Sequence, residues 1–488
     1  MTSSKDWAYM DTLRPPVYIC LRRKLDTTGE HHQPMQLDGC IDKEEWAHVP
    51  WSDSFVNIEG SIQKSKHPPL TRFKMMYDED YLYVGAELVE PKIWGTLTQK
   101  NSSLYQENNF EIFFNPDGSH HHYYELEINC LNTIWELLLH RPYKDGSSLE
   151  NPFNLVSLRS AVFIDGVTNS PETECVRWCI EMSWSLAELQ QFNKFRFKEN
   201  RHDLKPSIAT PRPSSTCGET PRSAVTTSRT VSGDIWRVNF LRVQYELETV
   251  MNEDINQLQY QKVPNKSAEY IAWAPTGVMD IHRPEKWGYV FFSSENELVG
   301  GELELASVLT GFLNERMAIE RILNAIYYEQ RDFYALHGGY ASTMETLYTK
   351  HLSNSQSIEN DDWMKTLSFH DLLRQYDLSF PVLSCQSVVN IHETNDKTIG
   401  GQNASVVTGR KYSRRYAPAL DKSDENLSMI ATDGINTFVP PPPPVLSPRS
   451  QKLKSLEARG LYSNYVVTVR STMQEWHIRQ DGRLWQTA

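Results

Sequence analysis

Positive charge is scarce in this chain. Its 49 lysines and arginines are outnumbered by 62 aspartates and glutamates, for a formal charge of −13 at pH 7. A protein that grips a nucleic-acid backbone needs a basic patch, so the balance argues against a nucleic-acid partner. Long apolar runs are also missing, and no stretch reaches the length of a membrane span. The first thirty residues carry Asp6, Asp11, Arg14 and Pro15-Pro16 in place of an uninterrupted apolar stretch, so no standard secretory leader is expected. The tripeptides starting at Asn101, Asn265 and Asn403 fit the glycosylation acceptor pattern and are taken as chance matches. Cysteine is sparse and unpatterned. The seven are Cys20, Cys40, Cys130, Cys175, Cys179, Cys217 and Cys385, with no CxxC pair and no histidine cluster beside Cys175 and Cys179. Structural zinc is not expected, and free thiols point to a reducing compartment such as the cytoplasm. Finally, there is no GxSxG elbow, Walker loop, HExxH or dinucleotide fingerprint.

Aromatic residues and short alternating segments are abundant. The chain has 13 Trp, 23 Tyr and 18 Phe. The clearest hairpin covers 71–90. There Phe73 and Met75 alternate before a turn at Asp78-Glu79-Asp80, and Leu82, Val84 and Ala86 alternate after it. A strand is predicted at 109–115, closed by Pro116-Asp117-Gly118, and two more within 123–139, joined near Asn129 to Asn132. Others fall at 159–164, 176–183, 235–245 and 286–292. Many short strands separated by Gly, Pro and Asp argue for a mostly β protein of sandwich type. Residues 1–35 are expected to be a loose arm, 204–233 a disordered Ser/Thr/Pro-rich insertion and 246–268 a polar connection. After residue 300 the period changes. Ile319, Ile322, Leu323, Ile326 and Phe333 predict a helix over 312–333 with one apolar stripe for packing on a neighbour. A second helix is expected at 341–350, within a helical segment at 300–387. Residues 388–458 form a low-complexity insertion with five prolines at 440–444, a spacer or a docking tract for a protein partner. A β-hairpin at 459–488 would complete a small C-terminal α+β unit.

Specific stretches carry a family resemblance. LDGCIDKEEW at 37–46, YDEDYLYVGAELVEPKIWGTLT at 77–98 and NNFEIFFNPDG at 108–118 are followed by YYELEINCLNTIWELLLHRPY at 123–143, WRVNFLRV at 236–243 and WAPTGVMDIHRPEKWGYVFF at 273–292. In order and spacing they resemble the carbohydrate-binding family 9-like domain over 36–292. The resemblance implies a jelly-roll type β-sandwich at about 36–295, sugar held by aromatic side chains, and a structural calcium.

Alternation places the candidate site residues. Asn109, Glu111 and Phe113 share one strand face, and Tyr123, Glu125, Glu127 and Asn129 share one on the next. Several acids then lie together with Asn129 and Asn132. Uncompensated acids on a core face are costly, so this face must be wetted, paired with basic residues, or a ligand cleft. Sugar recognition uses carboxylates and amides for hydroxyls and a ring for the apolar face of the pyranose. Trp94 and Trp135 are the aromatic candidates. DIHRPEKW at 280–287 is a second concentration of chemistry, from which His282 and Arg283 are candidate ligand contacts. Asp38, Asp78, Asp80 and Asp117 lie in turns and are candidate calcium ligands. His120 to His122 read as an exposed polar loop. Non-catalytic carbohydrate binding is the leading expectation. The alternatives are a structural or interaction protein that has lost the sugar site, and a glycoside-active enzyme using Glu111 with Glu125 or Glu127.

Overall fold

The computed structural model describes residues 3–23, 34–60, 68–190, 233–254, 256–293, 302–352, 369–385, 461–462, 464–472 and 474–487. The insertion expected at 204–233 (apart from Gly233) and the stretch 388–458 with its proline run lie outside the described residues.

Fifteen strands precede the long helix. They are β1 (Val17–Arg22), β2 (Val56–Asn57), β3 (Thr71–Tyr77), β4 (Tyr81–Val89), β5 (Asn109–Asn115), β6 (Tyr123–Ile128), β7 (Ile134–Arg141) and β8 (Ser148–Glu150). After them come β9 (Arg159–Asp165), β10 (Arg177–Ser185), β11 (Ile235–Gln244), β12 (Leu247–Asn252), β13 (Gln257–Lys262), β14 (Glu269–Ala272) and β15 (Gly288–Ser293). Thirteen of these make one mixed sheet in the order β8-β7-β6-β5-β11-β15-β1-β3-β4-β10-β9, with β14 on β11 and β2 on β14. β1 runs parallel to β15 and β3, and the remaining pairs are antiparallel. The sheet is curled into a half-barrel of jelly-roll character. Its main core shows why: Phe110, Ile112 and Phe114 of β5, Val238 and Phe240 of β11, Phe73 and Met75 of β3, and Ile180 and Met182 of β10 all join one cluster. Strands distant in the sheet order can share a core only if the sheet closes over it.

The arm expected at 1–35 is a correction in its described part. Ser4–Met10 is a capped helix, α1, and Val17–Arg22 is strand β1 inside the main sheet. Its pairing with β15 and β3 supplies the backbone partners that the flanking prolines do not suggest. The connection expected at 246–268 is likewise largely a hairpin, β12–β13.

Three short or long helices follow α1 in the chain: α2 (Glu44–Ala47), α3 (Leu186–Gln190) and the 36-residue α4 (Glu302–His337). Beyond them lie α5 (Met344–Leu352) and α6 (His370–Gln375). The small strands are β16 (Tyr340–Ala341), β17 (Val382–Ser384), β18 (Leu461–Tyr462), β19 (Val466–Arg470), β20 (Glu475–Arg479) and β21 (Leu484–Thr487). β17-β19-β20-β21 form a four-stranded antiparallel sheet, so the expected C-terminal hairpin is three strands joined by a fourth. The helical stripe packs as its spacing predicts. Ile319, Ile322, Leu323, Ile326 and Phe333 share a core with Val467, Val469, Trp476, Ile478 and Leu484, together with Trp7 and Met10 of α1. Leu313 meets Tyr289 and Phe291 on the outer face of β15, so α4 lies between the large and small sheets.

Charge locks that joint. Glu320 of α4 accepts from Tyr289 Oη at 2.7 Å and Arg316 Nε at 2.8 Å, and Arg237 Nη1 of β11 lies 4.0 Å away. Glu285 accepts from Tyr328 Oη, while Asp145 takes Lys144 and Arg331, each at 2.8 Å, and Tyr327 Oη. His120 to His122 do not form an exposed loop. His120 and His121 are buried, and their rings meet the carbonyls of Gly482 at 3.3 Å and Asp481 at 2.8 Å. The turn before β21 has covered a segment whose composition alone reads as surface.

Two predictions follow from this packing. A Cβ on Gly288 would lie 2.2 Å from the ring of buried Trp273. Gly288→Ala should therefore destabilise the fold by roughly 1–3 kcal/mol through overpacking, read as a lowered midpoint in denaturant. The second concerns acid. Burial pushes Glu285 and Glu320 up, but their cationic neighbours outweigh it: Lys144 and Arg283 for Glu285, Arg316 and Arg237 for Glu320, holding both at about 2. Burial holds His120 at about 3 and His121 at about 4. All four lie below their unfolded values, about 4.3 for Glu and 6.5 for His. The stability they carry is complete above those values and is lost as pH falls through them. Thermal melts from pH 4.5 to pH 2 should show a midpoint that falls with pH as Glu285 and Glu320 take up protons, and Glu285→Gln should flatten that fall. A level profile over this range would contradict the lock.

Candidate functional site

The outer face of the sheet, opposite the main core, is where the chemistry gathers. Register sets Glu111 of β5 opposite Glu127 of β6, Phe113 opposite Glu125, and Trp135 of β7 opposite Glu127. Leu241 of β11 lies opposite Glu111 on the other side. A small apolar cluster shares this face, with Phe113, Tyr123, Leu137, Leu241, Ile281 and Trp287 among its members. The three glutamates sit within it and are almost wholly buried, each 3–4% exposed.

They line a cavity of about 450 Å³. Its walls include the rings of Tyr105, Trp135, Tyr143, Tyr270 and His282, with Ile58, Leu137 and Leu241 between them. Trp135 donates from Nε1 to Asn151 Oδ1 at 3.1 Å and leans on Tyr105, ring centroids 5.8 Å apart. His282 Nδ1 is hydrogen-bonded to Tyr123 Oη at 2.8 Å, and Tyr143 stands edge-on to the imidazole at 4.5 Å. Burial pushes the His282 pKa down to about 4, so the ring is neutral at pH 7.

The glutamates have little to neutralise them. Their carboxylates approach within 4.8 Å of one another. Asn109 Nδ2 donates to Glu127 at 3.0 Å, and Glu125 Oε2 is buried without a hydrogen-bond partner. Among the described residues, no lysine or arginine lines the cavity. Burial pushes Glu111 up to about 8, and burial together with the neighbouring acids raises Glu125 and Glu127 well above the carboxylate range. Three oxygen donors at this spacing also suit chelation of a divalent cation, and they are the one such group among the described residues. The turn aspartates do not assemble a second. Asp78 is taken up by the Asp80 and Tyr81 amides and Tyr83 Oη, Asp38 by Cys40 N and Lys43, and Asp117 by Ser119 N and Asn115. The six described cysteines are free thiols.

The structure thus brings Glu111, Glu125, Glu127, Trp135 and His282 to one cavity, with Asn109 bracing Glu127. The other candidates lie elsewhere. Asn129 bonds Glu107 and Leu97 O through Nδ2 and, through Oδ1, holds the turn amides of Leu131 and Thr133. Asn132 sits in that turn at φ 60° and bonds Ser160. Trp94 is half-buried and outside the cavity lining. Arg283 pairs with Asp280 at 2.9 Å and faces the α4 joint, where Glu285 and the Tyr328 phenol perturb it. Tyr105, Tyr143 and Tyr270 are the wall residues that the sequence did not single out. They come from a 3₁₀ turn, a turn after β7 and the four-residue strand β14.

The strained acids generate a testable signature. Glu111 titrates higher folded than unfolded, so the folded state holds more protons between about pH 4.3 and 8, and stability falls as pH rises through that window. Glu111→Gln should raise the melting temperature by a few degrees at pH 8 and leave it nearly unchanged at pH 4. Equal or lower stability of the variant at pH 8 would show the carboxylate to be compensated.

The profile of the family described as carbohydrate family 9 binding domain-like matches residues 37–136. No curated protein matches the chain. Among solved structures, the chain is similar to a putative carbohydrate-binding protein from Bacteroides uniformis at 12% identity, covering 57% of this chain and all of that one, with a TM-score of 0.36. It is also similar to a family 9 carbohydrate-binding module from Caldicellulosiruptor kristjanssonii. In complex with glucose that module aligns at 13% identity over 57% of this chain and 96% of the module, TM-score 0.30. With cellotriose the figures are 13%, 59% and 99%, TM-score 0.30. The profile match supports a carbohydrate-binding role over part of the chain, and it is a match to a family of binding domains rather than of enzymes. Among the described residues, no helix is long and apolar enough to cross a membrane.

Proposed function

We propose that the cavity on the outer sheet face binds carbohydrate without turning it over. The observation that carries this reading is the cavity itself: a volume of about 450 Å³, acceptors on its floor and aromatic rings around it. A pyranose presents hydroxyls at its edge and an apolar C–H face, and such a lining matches both. The half-buried Trp135 is the ring assigned to that face, with Glu111, Glu125 and Glu127 toward the hydroxyls.

Binding is favoured over hydrolysis because the profile that matches the chain describes a binding domain.

A thermal-shift and calorimetric screen of the full chain against neutral and amino mono- and oligosaccharides tests the reading. A saturable shift with at least one sugar is expected, since a ligand of the native state stabilises by mass action. Trp135→Ala should weaken that binding at least tenfold, and the sugar should be recovered unchanged. No shift across the panel, or binding indifferent to Trp135→Ala, would remove this cavity as the site.

A further inference from the structure

The cavity floor is an unusual receptor for a neutral sugar. Hydroxyls pair well with one carboxylate and a few amides, whereas here three buried carboxylates meet at one point. Among the described residues, no lysine or arginine lines the space around them. Glu125 is 4% exposed and its Oε2 has no hydrogen-bond partner, so one acceptor on the floor is left for something that enters the cavity. A buried ionised acid without a partner is strongly disfavoured. Neutralisation must come from protons or from a ligand that brings positive charge.

Two kinds of ligand charge fit the spacing, and the walls decide between them. A primary ammonium has three N–H donors. Acceptors about 2.8 Å from its nitrogen in tetrahedral directions stand about 4.6 Å from each other, and the three carboxylates here approach within 4.8 Å. A hard divalent cation would also accept these oxygens but needs about six to eight of them. Above the floor, the cavity offers the ring faces of Tyr105, Trp135, Tyr143 and Tyr270 with Ile58 and Leu241, and its two further polar groups are engaged: Asp280 by Arg283 and the His282 amide, and His282 Nδ1 by Tyr123 Oη. Rings are poor cover for a bare metal. They are good cover for the C–H face of a sugar and are attracted to an organic cation.

We infer that the cavity takes a sugar with a free amino group, its ammonium seated among Glu111, Glu125 and Glu127 and its ring against Trp135. The inference rests on the carbohydrate reading of the cavity and narrows it to amino sugars. Selectivity arises because acetylation removes the cation and two of its donors, while glucose replaces it with a hydroxyl. Either leaves the three acids to be neutralised by protons alone, without the charge-assisted bonds that the ammonium supplies.

Isothermal titration of the full chain compares glucosamine and its short β-1,4 oligomers with N-acetylglucosamine and glucose oligomers of equal length, all with a chelator present. The free-amine series should bind at least tenfold more tightly than either neutral series. Glu125→Gln, which keeps the shape and removes the charge, should cut free-amine binding at least tenfold. Should that variant fold poorly, Glu111→Gln serves, and the comparison of sugars on the natural protein needs no variant. Equal affinity for glucose and glucosamine would overturn the amine assignment and leave the carbohydrate reading standing. Free-amine binding that requires added calcium and vanishes with chelator would overturn it in favour of a metal. Binding of no sugar in any series would overturn the carbohydrate reading along with it.

Discussion

The central strands β5, β6, β11 and β15 are covered on both faces, and that constraint shapes the rest of the molecule. One face belongs to the closed apolar core. The other carries Glu111, Glu125, Glu127, Asn239 and Arg237, and these too are buried. Polar groups taken out of water must find partners close by. At one end of the face the chain supplies them. Arg237 lies under α4, where Glu320, Arg316 and Tyr289 complete a buried network with Glu285 and Lys144 nearby. At the other end, around Glu111, no lysine or arginine arrives among the described residues. The same sheet surface thus holds a neutralised joint and an unneutralised cavity.

This contrast separates structural charge from charge available for recognition. Ion pairs in the joint contribute specificity of docking more than net stability, because desolvation offsets most of their attraction. They fix where α4 rests, and through the apolar stripe of α4 they fix the small sheet. The acids of the cavity contribute to neither. Their presence costs stability, a pattern found where function opposes folding.

Much of this was legible in the sequence because strand alternation is a local property. The period of two in NFEIFFN and YYELEI placed Glu111, Glu125 and Glu127 on one face, and the family resemblance indicated how the strands curl. The helical stripe from Ile319 to Phe333 was equally plain. Features made by distant partners were not. Tyr270 reaches the cavity only because β14 pairs with β11, and Tyr105 and Tyr143 enter from turns. His120 and His121 look like surface residues until the turn at Asp481-Gly482 covers them. Val17–Arg22 looks like part of an arm until strands from both ends of the main sheet's sequence close around it. Asn129 and Asn132 share the acids' region in sequence, but their side chains are spent on shaping the β6–β7 turn.

The three glutamates also act on the search for the native fold. Side chains along a strand alternate strictly, so a slip of one residue between β5 and β6 would move every outward group inward. For most strands such a slip exchanges some apolar contacts for others. Here it would drive carboxyl groups into a core of phenylalanine, leucine and isoleucine, where nothing can receive them. The acids therefore exclude the neighbouring register as firmly as apolar residues favour the correct one. A strand pair rich enough in aromatics to associate in several ways is left with a single alignment.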